Sequence, residues 1–279
     1  MMGKVKKLGC VCFLFFSGLI FGQSFTAMTY NIRLDIPQDG DTNWANRKNN
    51  MFALLDFYQP DIFGIQEGLP HQVENLKNAL PAYSVLGEGR DGKNTGEHSS
   101  IFYNTNRFEV LQNGTFWLSE TPKVVSKGWD AALNRICTYA LFLDLKTQRK
   151  FWVFNTHFDH VGTVARENSV ALIHETIQKY NTMHYPVVLM GDFNLEPDSS
   201  PIAFLKARYS DTKRLSKVLF NSGGTFNAFD FTLKKFKEID YIFISKSGFN
   251  VSKYAVLNNH FSGIYPSDHF PVMVELKWK

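Results

Sequence analysis

The sequence predicts a layered α/β fold. Strand-like apolar runs recur along its whole length, some alternating with polar residues and some unbroken, and stretches of helical periodicity lie between several of them. No internal repeat, low-complexity tract or linker-like composition interrupts this pattern, so one domain from about Ser24 to Lys279 is expected.

The elements follow in order. Strands are predicted over Phe25–Tyr30, Asp61–Gln66, Ser99–Tyr103, Arg135–Leu145, Phe151–Thr156, Val187–Met190, Ile239–Ser245 and Pro271–Leu276. From Trp44 to Tyr58 the apolar Trp44, Met51, Leu55 and Tyr58 share a helical face, with Arg47 and Lys48 placed opposite. From Thr163 to Tyr180, Val170, Ile173, Ile177 and Tyr180 keep the same interval. Ser200 before Pro201 reads as an N-cap and first-turn proline opening a short helix. The turn TQRK between two strand runs suggests an antiparallel hairpin.

The start of the chain differs from the rest. Lys4, Lys6 and Lys7 precede the uncharged apolar run Leu8–Phe21, the layout of a secretory signal peptide, expected here over residues 1–23. The run is shorter than the roughly 20 residues of a membrane-spanning helix, although an uncleaved anchor is the alternative. Secretion or a periplasmic location follows as an expectation. Cys10 and Cys12 would leave with the leader, so Cys137 remains as a lone buried thiol. Losing three lysines also lowers the net charge from +4 to about +1, too little for the basic field that long nucleic acids favour.

Six strand-like segments carry an Asn, Glu, His or Asp at one end: TAMTYN ends at Asn31, DIFGIQE at Glu67, FWVFNTH at His157 and VVLMGDFN at Asp192 and Asn194. KEIDYIFIS opens with Asp240, and YPSDHFPVMVEL places Asp268 and His269 before its apolar run. Each has an ordinary explanation alone, as a turn former or a satisfied core histidine. Converging at one rim, they would supply carboxylates, amides and imidazoles to one pocket. Mg2+ or Mn2+ suits such an oxygen-rich set, whereas zinc prefers closely spaced nitrogen and sulfur ligands. The chemistry that fits is in-line attack of an activated water on a phosphoester.

In this order, TYN, IQE, NTHFD, GDFN-x-x-P-x-S, IDYIF and SDHFPV resemble the endonuclease/exonuclease/phosphatase superfamily, over Thr29 to Val272. The resemblance implies a four-layer α/β/β/α sandwich of the deoxyribonuclease I type, with the site where strand ends from two packed mixed sheets meet. It implies Glu67 and Asp268 as the main metal ligands, with Asn31 beside them. Asp192 resembles the residue that positions or deprotonates water, and Asn194 a neighbour holding a phosphate oxygen. His269 would contact the phosphate or move a proton with Asp240 orienting its ring, and His157 would stabilise the transition state or leaving oxygen. Which group is base and which is acid stays open.

Arg33, Arg135 and Arg166 are candidate phosphate or substrate contacts, and Asp159 and His160 candidate shapers of the pocket. Asp35 and Asp39–Asp41 read as a solvated loop, with a second cation site as the alternative. The expected partner is a phosphate-ester substrate, with a small or short one slightly favoured; nucleic acid and a membrane lipid stay open, the latter through Thr115–Leu118 and Trp129 as an aromatic hairpin, although buried packing is the stronger expectation for these residues. No protein partner is implied, and a monomer is expected. A non-catalytic binding protein is disfavoured because none of Glu67, Asp192, Asp268 or His269 is missing.

Overall fold

The computed structural model describes residues 24–279 except Ser222, so the expected leader lies outside the described residues. In chain order the elements are β1 (Ser24–Asn31), a short 3-10 helix (Pro37–Thr42), α1 (Trp44–Tyr58), β2 (Ile62–Gln66), α2 (Pro70–Ala79), β3 (Tyr83–Leu86) and β4 (Ile101–Asn104). Then come β5 (Phe108–Trp117), β6 (Ile136–Asp144), β7 (Arg149–His157), α3 (Thr163–Tyr180), β8 (Val187–Asp192), α4 (Ser200–Arg208) and β9 (Tyr209–Asp211). The chain finishes with α5 (Thr212–Leu215), β10 (Val218–Phe220), β11 (Asp240–Ser245), β12 (Phe249–Val256) and β13 (Val272–Trp278).

One sheet has the order β10-β12-β13-β1-β2-β4-β3 and the other β5-β6-β7-β8-β11-β9. Both are mixed. β1 runs parallel to β2 and β7 parallel to β8, with α1 and α3 as the crossovers. Strand alternation builds the layers. Phe25 and Ala27 of β1 face Phe151, Val153, Val188 and Met190 of the other sheet, forming the core between the sheets. Met28 and Tyr30 face outward onto Trp44, Met51, Leu54 and Leu55 of α1. In the second sheet, Trp152, Phe154, Leu189 and Phe243 face outward onto Val170, Ile173 and Ile177 of α3 and Ile202 and Leu205 of α4. Central strands covered on both faces must be apolar at every position, which explains the unbroken runs of β2 and β8. The result is the expected α/β/β/α sandwich.

A polar seam crosses the core below the site. Gln66 Nε2 donates to Thr29 Oγ1 (3.0 Å) and to Asn155 Oδ1 (2.7 Å), while Asn155 Nδ2 donates to the carbonyls of Ile65 and Ser100. Gly64 leaves room for it: a Cβ there would lie 2.3 Å from Asn155 Oδ1.

Two sequence expectations are corrected. Arg47 does not point to solvent from α1 but is fully buried. Its guanidinium donates to the carbonyls of Ile32, Arg33, Thr42 and Pro266, tying the segment after β1 to the segment before β13. Helical periodicity scored it as a surface charge because its partners come from outside the helix. Ser200 is the first helical residue of α4, and Ser199 is the N-cap. Thr115–Leu118 packs inward, the stronger of its two expectations: Phe116, Trp117 and Leu118 are buried, and Trp117 Nε1 donates to the Arg90 carbonyl at 2.7 Å. Cys137 is a free, buried thiol as expected. Among the described residues no helix is long and apolar enough to cross a membrane.

Candidate active site

Register assembles the site. In the second sheet, β7 and β8 pair His157 with Asp192, and β8 and β11 pair Asp192 with Asp240, so three polar residues end side by side. In the first sheet β1 and β2 pair Asn31 with Gln66, setting Glu67 just past the strand end. The two sheet ends then meet: Asn31 Nδ2 donates to Glu67 Oε1 and to Asp192 Oδ2, both at 2.9 Å. Arg33, Glu67 and Asn194 all lie just beyond strand ends with φ of 57°, 63° and 50°. Three side-chain-bearing residues in the left-handed region at one rim mark a backbone strained to turn its groups inward.

Asp192 is 1% exposed. Its Oδ1 accepts from the Asn194 amide at 2.9 Å, and its Oδ2 lies 3.5 Å from His157 Nε2 and 3.8 Å from His269 Nε2. Burial, followed by the charge of Asp240, pushes its carboxyl up to about 7, with His269 and Asn31 acting in the opposite direction. The two histidines are driven apart. Burial, reinforced by Arg135 and His269, holds His157 well below the usual imidazole range, so its neutral Nε2 accepts from Asn194 Nδ2 at 3.1 Å. Burial also acts to lower His269, but Asp240, Asp192 and Asp268 outweigh it and hold the ring protonated. His269 Nδ1 donates to Asp240 Oδ2 at 2.9 Å, which fixes the ring.

Glu67 and Asp268 open onto the same cleft, about 640 Å3 in volume, which Asp192, Asn194, His157 and His269 also line. The Arg33 guanidinium stands between them, 4.0 Å from Glu67 and 3.9 Å from Asp268. Ser267 Oγ donates to the Asn31 carbonyl (2.6 Å) and lies 3.3 Å from Asp268 Oδ1, locking the two loops together. Glu67, His157 and Asp192 offer ligand atoms within 4.8 Å of one another, as do Asp192, Asp240 and His269. With Asp268 added, four carboxylates crowd a largely buried space, and burial raises Asp268 as well. That excess of oxygen donors and of negative charge is what a divalent cation relieves, so the residues fit one. Asn31 Oδ1 accepts from the Arg33 amide (3.0 Å) while its Nδ2 donates to Glu67 and Asp192, so in this arrangement it orients the carboxylates.

The outer residues divide. Arg33, Arg135 and His160 line the cleft. Asp159 and Arg166 do not belong to its lining. Asp159 is buried and accepts from the amides of Ala132, Leu133, Val161 and Gly162 and from Arg135 Nε, stapling two loops. Burial raises its carboxyl, but those amides and Arg135 outweigh this and hold it well below the usual range. Arg166 Nη1 donates to the Asp159 carbonyl at 2.9 Å. Asp39, expected in a solvated loop, accepts from Arg33 Nε and Nη2 at 3.0 and 2.8 Å. Sequence reasoning missed Arg90 and Glu97, a cleft-wall ion pair at 2.7 Å. The glycine-rich stretch GEGRDGKNTGE around them was the available signal.

Residues 28–269 match the endonuclease/exonuclease/phosphatase family. The chain belongs to that family. It is therefore a hydrolase of phosphate-ester bonds. Among solved structures it is similar to a mannosyl-6-phosphatase of Bacteroides thetaiotaomicron, at 40% identity and a TM-score of 0.87, covering 90% of this chain and 99% of that one. It is 30% identical over 187 residues to an uncharacterized protein of Acanthamoeba polyphaga mimivirus, 64% of this chain and 68% of that protein. A probable RNA exonuclease of Saccharomyces cerevisiae is 29% identical over 208 residues, 65% of this chain but only 39% of the yeast protein.

Proposed function

We propose that this protein is an exported, Mg2+- or Mn2+-dependent phosphatase that removes phosphate from a small phosphorylated sugar. One observation carries the substrate class: each arginine lining the cleft is already matched to a carboxylate. Arg33 holds Asp39, Arg90 holds Glu97 and Arg135 holds Asp159. A nuclease needs a row of unspent cations to follow a phosphate backbone. Here Lys237 is the cation that remains unpaired among the described lining residues, since protonated His269 is held by Asp240. A cleft of about 640 Å3 suits a small ligand. Similarity to a mannosyl-6-phosphatase over nearly the whole of both chains supports the same reading.

Glu67 and Asp268 would hold the cation, whose role is to neutralise phosphate oxygens and so expose phosphorus to attack. Asp192, with a carboxyl near 7, is suited to take the proton of the attacking water at neutral pH. The His269 imidazolium, steadied by Asp240, places positive charge against the growing charge on phosphate. Asn194 Nδ2 donates to neutral His157 Nε2 and to the Phe158 carbonyl, which holds the His157 ring in the cleft wall.

The test is phosphate release by the purified protein with Mg2+, comparing mannose 6-phosphate with bis-p-nitrophenyl phosphate, single-stranded RNA and DNA, and sphingomyelin. The highest kcat/KM is expected for the hexose phosphate, with loss on chelation by EDTA. Preferred cleavage of nucleic acid or lipid, or activity indifferent to EDTA, overturns the reading.

A further inference from the structure

One wall of the cleft is built with care yet has no part in the hydrolytic chemistry. The loop carrying Arg90 and Glu97 is closed on itself by Arg90 N donating to the Glu97 carbonyl (2.9 Å) and Asp91 N to that of Thr95 (3.0 Å). It is anchored outside by Trp117 Nε1 on the Arg90 carbonyl and Asn134 Nδ2 on Asp91, and by His98 N on the carbonyl of Gly68, next to Glu67. The Arg90 and Glu97 side chains are only 14% and 11% exposed. Such a rigid, nearly neutral pair at the mouth of a phosphate site is poorly suited to hold another phosphate, because Glu97 cancels the arginine.

We propose that Arg90 and Glu97 form a subsite that reads a hydroxyl group of the sugar leaving group, with Arg135 and His160 beside them; this rests on the sugar-phosphate reading above.

Two unmet donors point there. Arg90 Nη1 and His98 Nε2 are buried and have no hydrogen-bond partner. Both residues line a recess of about 10 Å3; among its other walls, Glu97, Arg135, Glu67 and His157 also line the cleft, so the recess adjoins the reaction centre. That volume is on the order of one oxygen atom with its hydrogens. A hydroxyl is the group that satisfies such a place, since it can donate to the Glu97 carboxylate while accepting from Arg90. A phosphate oxygen has no proton to give and would meet Glu97 charge to charge. An apolar group would leave a buried carboxylate and guanidinium without their hydrogen bonds, the situation in which sites discriminate most strongly. Arg135 Nη2 donating to His160 Nδ1 at 3.0 Å leaves the exposed His160 ring at the rim, placed for a further hydroxyl.

Steady-state kinetics of the wild type, Glu97→Gln and Arg90→Gln test this on mannose 6-phosphate, its deoxy analogues and phenyl phosphate, which has no hydroxyl on its leaving group. The ratio of kcat/KM for the hexose to that for phenyl phosphate should fall roughly 10- to 100-fold in either variant, the scale of a hydrogen bond to a charged group. In the wild type one deoxy analogue should suffer a similar penalty, and Glu97→Gln should erase it. An unchanged hexose-to-phenyl ratio, or equal turnover of all deoxy analogues by the wild type, overturns the subsite. The deoxy series needs no variant, so it decides the matter even if a substitution unfolds the loop. Failure of the wild type on every hexose phosphate, with activity on another phosphoester, overturns the sugar-phosphate reading itself.

Discussion

Replacing Arg47 with methionine isolates the device that holds the two halves of the site together. Methionine retains the apolar stem beside Trp44 and Phe229 but removes the fork that reaches five carbonyls, the fifth being that of Leu34 at 3.5 Å. The Thr42 and Arg33 acceptors are partly exposed and can turn to water, whereas those of Ile32 and Pro266 are buried. Two buried acceptors without donors cost about 1–3 kcal/mol each, hence roughly 2–6 kcal/mol in all. Relief of a buried charge offsets part of this, because burial already works against the protonated guanidinium. For a chain of this size the net loss corresponds to a fall in Tm of roughly 10 °C. Differential scanning calorimetry measures it directly, and Arg47→Lys should recover only part, since the lysine nitrogen ends at the position of the guanidinium carbon, short of Nη1, the atom that serves both Ile32 and Pro266. A Tm within about 2 °C of wild type in Arg47→Met would refute the reasoning, as would full recovery by lysine.

Asp192→Asn should abolish phosphate release, yet at pH 8 and without added divalent ions it should melt no lower than wild type. The sign follows from the raised carboxyl: stability linked to its protonation is complete below the ordinary aspartate range near pH 4 and is lost as pH rises through about 7. The wild type should therefore lose stability over that window relative to the variant, and added Mg2+ should restore it; parallel pH–Tm curves would contradict this. Asp159→Ala should raise KM more than it lowers kcat and should lower stability by about 2–4 kcal/mol, because five donors lose their acceptor. Asp159's contribution, with its carboxyl held low, is present above about pH 4 and fades on acidification, so variant and wild-type melting curves should converge in acid. Gly64→Ala should destabilise by about 2–4 kcal/mol, since the added methyl meets Asn155 Oδ1 and must break the seam between the sheets; urea unfolding with an unchanged midpoint would show that the seam yields freely.

All eight strand segments expected from the sequence are present, and α1 and α3 match their predicted bounds, because each is buried in a way that leaves a period in the chain. Several of the elements not foreseen lack that mark. β10 exposes Val218, Leu219 and Phe220 at a sheet edge, β9 has three residues, and β5 is largely exposed along its middle. α2 begins at a proline directly after the site, where Pro70 was read only as a neighbour of Glu67.

The polar residues at strand ends were legible for a related reason: an Asp or His at the end of an unbroken apolar run stands out against its surroundings. By itself, then, the sequence determined the layers and the family, and it picked out the strand-end polar residues that the fold gathers at one cleft, since burial and local period are written along one dimension. It could not determine what each charge is paired with, because pairing is set by which distant segments the fold brings within a few ångströms. Thus Arg47 became an internal clamp, Asp159 a staple between loops and Asn31 an orienting donor, while Arg90 and Glu97 emerged as a wall of the cleft. The opposite protonation of His157 and His269 belongs to the same class. Two identical side chains differ only in whether their buried surroundings supply negative charge, and that is a property of three-dimensional packing alone.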